Sequence, residues 1–255
     1  MRVSLAALAV VITILLIASL RSGAQSLQDI PLSSGVSNSP VVAELFTSQS
    51  CSSCPPAERI FSELADRSDL IVLEWHVDYW DRLVHGRAGA WKDPYSDAAH
   101  TARQRQYNRA LRKTASVYTP QAVINGRTET VGSRPEEVYR LLEASPHATA
   151  ALDIAEDGNI THITVSALDA ALKPAAQIYR LTLLPAQTTS VPRGENRGAV
   201  LSSRNIVVAA EIVGTYSGAA VSLSVDAPSE GEACAIIIQE RRSGQLGPIL
   251  GASYC

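Results

Sequence analysis

Residues 41–57 read Val-Val-Ala-Glu-Leu-Phe-Thr-Ser-Gln-Ser-Cys-Ser-Ser-Cys-Pro-Pro-Ala, an apolar run that leads straight into a Cys-x-x-Cys. Residues 41–47 predict a buried strand. Residues 56–66 follow with Ala57, Ile60, Phe61, Leu64 and Ala65 at helical spacing. The two sulfurs therefore sit where strand becomes helix. A thiolate at a helix start is stabilised by free backbone N–H groups and the helix dipole, so Cys51 is the expected nucleophile. Cys54 would resolve a mixed disulfide by attacking Cys51. Pro55 and Pro56 fall in the first helical turn, where N–H groups lack intrahelical partners.

The compartment decides how four cysteines are read. Arg2 precedes an apolar run over residues 3–20, and the small-residue site Ser22-Gly23-Ala24 ends a segment of 24 residues shaped like an export signal. The same run is long enough to serve as an uncleaved membrane anchor. Either way the body of the protein is expected outside the cytoplasm, periplasmic or secreted, where disulfides persist. Four cysteines allow three pairings, and sequence locality favours Cys51 with Cys54 and Cys234 with Cys255. A net charge of −3 gives no reason to expect nucleic acid as a partner.

After a Ser/Gly-rich linker (25–39) the elements come in order. Residues 70–77 predict a second strand, then a helix starts with Ser96 as cap and runs to about Lys113. Its expected buried stripe is Ala98, Ala99, Ala102, Tyr107, Ala110 and Leu111, leaving Arg103, Arg105, Arg109 and Arg112 mostly in solvent. Asn125-Gly126 between two β-prone runs predicts a hairpin, because a type I′ turn needs positive φ at both positions. Ser133-Arg134-Pro135-Glu136 reads as a capping box before a helix with Val138, Leu141 and Leu142 inward. This order predicts an α/β thioredoxin-like domain over 40–146, with Thr119-Pro120 as a cis-proline loop against the disulfide. Beyond it, 147–255 shows short β-prone runs separated by turns, including a hairpin at Asp157-Gly158-Asn159, and predicts a smaller all-β, sandwich-like domain. A hairpin near Gly244-Gln245 would set Cys234 opposite Cys255 as a structural staple.

Several blocks together, Glu44 to Ala57, His76-Val77-Asp78-Tyr79-Trp80-Asp81, Trp91-Lys92-Asp93-Pro94, Thr101-Ala102-Arg103-Gln104, Val117 to Gln121, Asn125-Gly126 and Arg193-Gly194-Glu195-Asn196-Arg197-Gly198, resemble the secreted thioredoxin-like family called domain of unknown function 1223. The resemblance runs from about residue 40 to the end. The family has no settled activity, so the chemistry must come from the residues. Cys51, Cys54 and Pro120 are the catalytic candidates. Thr119, His76, Asp78 and Trp80 are candidates for a substrate groove or for proton transfer, since ligands gather at the carboxyl edge of such sheets. Arg193 to Arg197 reads as a turn with an internal ion pair, or as a contact between domains.

Two functions follow. One is an exported thiol–disulfide oxidoreductase acting on protein or small-molecule thiols with a redox partner protein. The other is a non-catalytic binding or assembly module with a structural Cys51–Cys54 bond. No cofactor is called for, and a metal held by Cys51, Cys54 and His76 would lack a full ligand set. A membrane enters only through an uncleaved 3–20.

Overall fold

The computed structural model describes residues 40–83 and 89–255; the expected signal or anchor and the linker lie outside them. Strands β1 (Val41–Thr47) and β2 (Leu70–His76) are buried at every position and pair in parallel, Val41 beside Leu70 through Thr47 beside His76. Side chains of a strand alternate between faces, so strands buried throughout need cover on both sides. Helices α1 (Pro55–Leu64) and α3 (Pro135–Glu143) cover one face, where Ala43, Leu45 and Val72 pack with Phe61, Leu64, Val138 and Leu141. Helix α2 (Ala98–Leu111) lies on the other, where Val42, Phe46 and Trp75 meet Tyr107 and the later strands.

Strand β3 (Gln121–Ile124) runs antiparallel to β1 and turns into β4 (Thr128–Val131) through Asn125 and Gly126, at φ 47° and 63°. That is the predicted type I′ geometry. The second half adds β5 (Leu152–Asp157), β6 (Ile160–Val165), β7 (Ala176–Ser190), β8 (Val200–Tyr216), β9 (Val221–Asp226), β10 (Ala233–Arg242) and β11 (Gln245–Tyr254). β10 and β11 form the expected last hairpin, and Cys234–Cys255 joins its open end with Cα atoms 5.3 Å apart.

The architecture corrects the sequence expectation of a thioredoxin-like α/β domain followed by a small sandwich. The protein is mostly β: one mixed sheet of eight strands runs β11-β10-β7-β8-β2-β1-β3-β4, and β5-β6-β9 form a separate sheet of three. The physical reason lies at β2. In a sheet ending there, its outer N–H and C=O groups would stay unpaired although the strand is buried. β8 closes that edge, pairing in parallel at Glu74 and Ile206. The Tyr254 hydroxyl serves the same edge at Val72, accepting from its N–H at 3.0 Å and donating to its carbonyl at 3.3 Å.

Helix α2 corrects a second expectation. Its N-cap is Asp97, whose Oδ1 accepts from Ala99 N–H, rather than Ser96. Its buried residues are His100, Thr101, Arg103, Gln104, Tyr107 and Asn108, so the polar face turns inward and most of the alanines outward. The cause is Glu44, an ionisable side chain at an inward position of β1. Arg103 Nε donates to Glu44 Oε1 at 2.7 Å, Tyr107 hydroxyl donates to Glu44 Oε2, and Arg103 Nη2 reaches Gln239 on β10 at 2.9 Å. A buried carboxylate demands such partners, and they outrank hydrophobic patterning. Helix α3 starts with Arg134 at the cap position and no side-chain cap bond, so Ser133 does not form the expected capping box.

Among the described residues, no helix is long and apolar enough to cross a membrane.

Candidate functional site

Where β1 ends, residues 48–51 stay buried and turn sharply: Cys51 N–H donates to Ser48 O at 3.1 Å and Cys54 N–H to Cys51 O at 3.1 Å. Cys54 then caps α1, its carbonyl accepting from Ala57 and Glu58 N–H at 2.8 and 3.1 Å. Cys51 and Cys54 form a disulfide with Cα atoms 5.4 Å apart. Both residues are 0% exposed, whereas Ser52 and Ser53 between them face solvent. The Thr119–Pro120 bond is cis. A Cβ on Gly132 would fall 2.8 Å from Leu45 Cδ1, 3.3 Å from Ala57 Cβ and 3.5 Å from Pro120 Cβ, so this glycine lets the Pro120 loop settle beside the first turn of α1.

One turn into α1 begins a cluster of buried acids. Glu58 is four residues beyond Cys54, hence on the same helix face one turn on. Its Oε1 accepts from the Thr47 hydroxyl at 2.6 Å, and burial together with the neighbouring Glu74 charge pushes its carboxyl up to about 7. Glu74 is itself raised by burial. His76 stands between two carboxylates, with Nδ1 2.7 Å from Asp93 Oδ2 and Nε2 3.7 Å from Glu74 Oε2. Burial opposes its charge, yet Asp93 and Glu74 outweigh burial and raise it to about 10, so imidazolium is the resting form. Burial would lift Asp93, but the His76 charge and the N–H groups of Gln49 and Tyr95 hold it low.

A roof closes over the cysteine turn. Ser50 hydroxyl donates to Trp91 O at 2.7 Å, and Trp91 Nε1 donates to Gln49 Oε1 at 3.2 Å. The second half of the roof is the tip of the β7–β8 hairpin, residues 191–199. There Gly198 N–H donates to Val191 O at 2.7 Å, and Gly194 and Gly198 take φ 79° and 85°. Asn196 Nδ2 donates to Gln49 O and to Cys51 O, both at 2.9 Å, and Ser52 N–H donates to Glu195 Oε2 at 2.8 Å.

Of the residues expected from sequence, Cys51 and Cys54 form the centre and His76 joins the acid cluster. Trp80 Nε1 donates to Thr119 Oγ1 at 2.7 Å, fixing the loop that carries Pro120. Asp78 is tied to α2 by Thr101, whose hydroxyl donates to Asp78 Oδ1 at 2.6 Å. Cys234 and Cys255 staple the β10–β11 hairpin. Sequence reasoning gave no role to Glu58, Glu74 and Asp93, and it read Glu195 and Asn196 only within a turn with an internal ion pair or a contact between domains. A signal existed for two: Glu58 follows Cys54 at helical spacing, and Glu74 interrupts an apolar strand. Nothing local links residues 195 and 196 to Cys51.

Fold and site together define a mostly-β protein whose eight-stranded sheet carries a buried disulfide at a strand-to-helix turn. The chain belongs to the family described as protein of unknown function (DUF1223), whose model matches residues 42–239. It is similar to a structural-genomics crystal structure of a protein from Agrobacterium tumefaciens, at 29% identity and a TM-score of 0.71, covering 84% of this chain and 92% of that one. HBP35 of Porphyromonas gingivalis shares the fold at 11% identity, with a TM-score of 0.58 over 86% of this chain and 75% of its own. No curated protein matches the chain.

Proposed function

We propose that the protein is an exported thiol–disulfide oxidoreductase working through Cys51 and Cys54. The observation that carries this reading is a Cys-x-x-Cys disulfide at a helix start with Glu58, a buried carboxyl raised to about 7, one helical turn beyond Cys54. In the reduced pair, Cys51 thiolate attacks a substrate disulfide, forming a Cys51–substrate bond and releasing the first substrate thiolate. Glu58 carboxylate accepts the proton of the Cys54 thiol. Cys54 sulfur then attacks Cys51, the second substrate thiolate leaves, and the Cys51–Cys54 bond is restored. A carboxyl with its midpoint near neutrality serves as base in this direction and as acid in the reverse one. The partners are protein or small-molecule thiols and a redox partner protein. Two disulfides suit an oxidising compartment outside the cytoplasm.

One observation favours the other reading, a binding module with an inert disulfide: both sulfurs are sealed from solvent. Cys54→Ser separates the two. Incubated with glutathione disulfide, the variant is expected to trap a mixed disulfide at Cys51, seen as one added glutathione by peptide mass. A wild-type Cys51–Cys54 bond that stays oxidised across the whole glutathione range, with no adduct on the variant, would rule out exchange.

A further inference from the structure

The single peptide unit between Cys51 and Ser52 is held at both ends by one remote turn. Its carbonyl accepts from Asn196 Nδ2 at 2.9 Å, and its N–H donates to Glu195 Oε2 at 2.8 Å. The second N–H of the Asn196 amide goes to Gln49 O, two residues back. Neighbouring side chains of the 191–199 turn thus grip the backbone on either side of the nucleophilic sulfur. We infer that Glu195 and Asn196 are positioning residues for disulfide exchange, and that Glu195 biases the centre toward its oxidised form, so that the reduced pair acts as a donor of electrons. This inference rests on the exchange reading above.

The bias follows from charge. Reduction frees the Cys51 sulfur to carry a negative charge, which the positive end of the α1 dipole would stabilise. Glu195 occupies one of the amides beside that sulfur and adds a carboxylate one peptide bond away. Like charges at such range disfavour the thiolate. Destabilising the thiolate disfavours the reduced pair and makes it the better reductant. Other charges act on the same turn. Arg193 and Arg197 flank Glu195 in sequence, Asp93 accepts from Gln49 N–H, and His76 balances Asp93. Among the described residues, Glu195 is the one whose carboxylate touches the Cys51–Ser52 peptide. Asn196 contributes geometry alone: without it the carbonyls of Gln49 and Cys51 lose their common donor and the roof loses its grip.

The test uses the full chain. After reduction with a phosphine, iodoacetamide labelling of Cys51 is followed by peptide mass against pH, in wild type, Glu195→Gln and the remote surface control Glu156→Gln. Glutamine keeps an acceptor for Ser52 N–H, so only the charge is lost. Glu195→Gln is expected to raise the thiolate fraction at pH 7 about threefold. Above the Cys51 midpoint, where the reduced pair is mostly thiolate, it should move the equilibrium with glutathione threefold toward the reduced pair, about 15 mV by the two-electron relation. The pH effect should shrink in 1 M salt, because exposed charges are screened there. Asn196→Ala is expected to speed reduction of Cys51–Cys54 by dithiothreitol severalfold without that salt dependence. An unchanged or lower thiolate fraction in Glu195→Gln, or a shift insensitive to salt, overturns the role of Glu195. An unchanged reduction rate in Asn196→Ala overturns that of Asn196. Labelling after phosphine does not require turnover, so failure of the exchange reading, seen as no equilibrium with glutathione at all, is told apart from failure of this one.

Discussion

Replacing Glu58 by glutamine should change how stability responds to pH. The ordinary carboxyl midpoint of 4.5 applies in the unfolded chain, whereas burial and the charge of Glu74 move it to about 7 in the folded one. Between those values the folded state binds more protons than the unfolded state, so stability falls as pH rises. A displacement of that size amounts to about 3 kcal/mol, present as a penalty once the pH exceeds 7 and absent below 4.5. Glutamine carries no proton to lose and still offers an amide oxygen to the Thr47 hydroxyl. Urea denaturation of the oxidised protein, wild type and Glu58→Gln side by side, at intervals from pH 4.5 to 8, measures the difference. The variant is expected to gain on wild type steadily across that window, by about 3 kcal/mol in all. Other ionisable groups tilt both curves and cancel in the subtraction. Parallel curves would refute the reasoning, since they would mean that Glu58 titrates alike in folded and unfolded chains and is not poised to exchange protons with Cys54.

Two further perturbations address the frame around the site. Arg103→Met leaves the Glu44 carboxyl at 0% exposure without its cation and should cost about 3–5 kcal/mol in a urea titration, with much of the loss recovered in the double variant Glu44→Gln/Arg103→Met. Replacing Cys234 and Cys255 together by serine opens a link across a sequence separation of 21 and should cost about 3 kcal/mol, leaving the reactivity of Cys51 unchanged.

Local signals in this chain hold at its turns, hairpins and first strand–helix step, while the cap signals at Ser96 and Ser133 do not. Asn125-Gly126 can hardly be anything except a tight turn, and both residues adopt the positive φ that their types allow. The run from Val41 to Thr47 and the helix behind Cys54 formed as their patterns require. The hairpin at Gly158 and the Cys234–Cys255 staple also followed from nearby residues. What the chain hid was pairing over distance. Residues 177–184 and 205–213 look like short, separate runs because Pro185 and the polar Thr188 and Thr189 interrupt the apolar pattern. They belong instead to strands of 15 and 17 residues that continue the sheet past β2. The inward face of α2 departs from its apolar pattern for a related reason. Its orientation answers to Glu44, fifty-odd positions earlier, and an alanine stripe carries too little hydrophobic weight to resist a buried carboxylate seeking Arg103. The roof over the cysteines was legible as a turn or as a contact between domains, but nothing nearby in sequence pointed it at residues 49–52.

The shared sheet also sets a schedule. Cys51 lies early in the chain, while the residues that clamp its peptide unit come 144 and 145 positions later, on a hairpin that docks along β2. A chain emerging from its N-terminus presents both cysteines well before Glu195 and Asn196 exist to cover them. During that interval their sulfurs meet the surrounding thiols on equal terms with any unfolded segment. Contacts so distant in sequence are also among the slowest to form. The cysteines therefore precede their own enclosure, and a fragment ending before β7 would carry them without the setting that governs them.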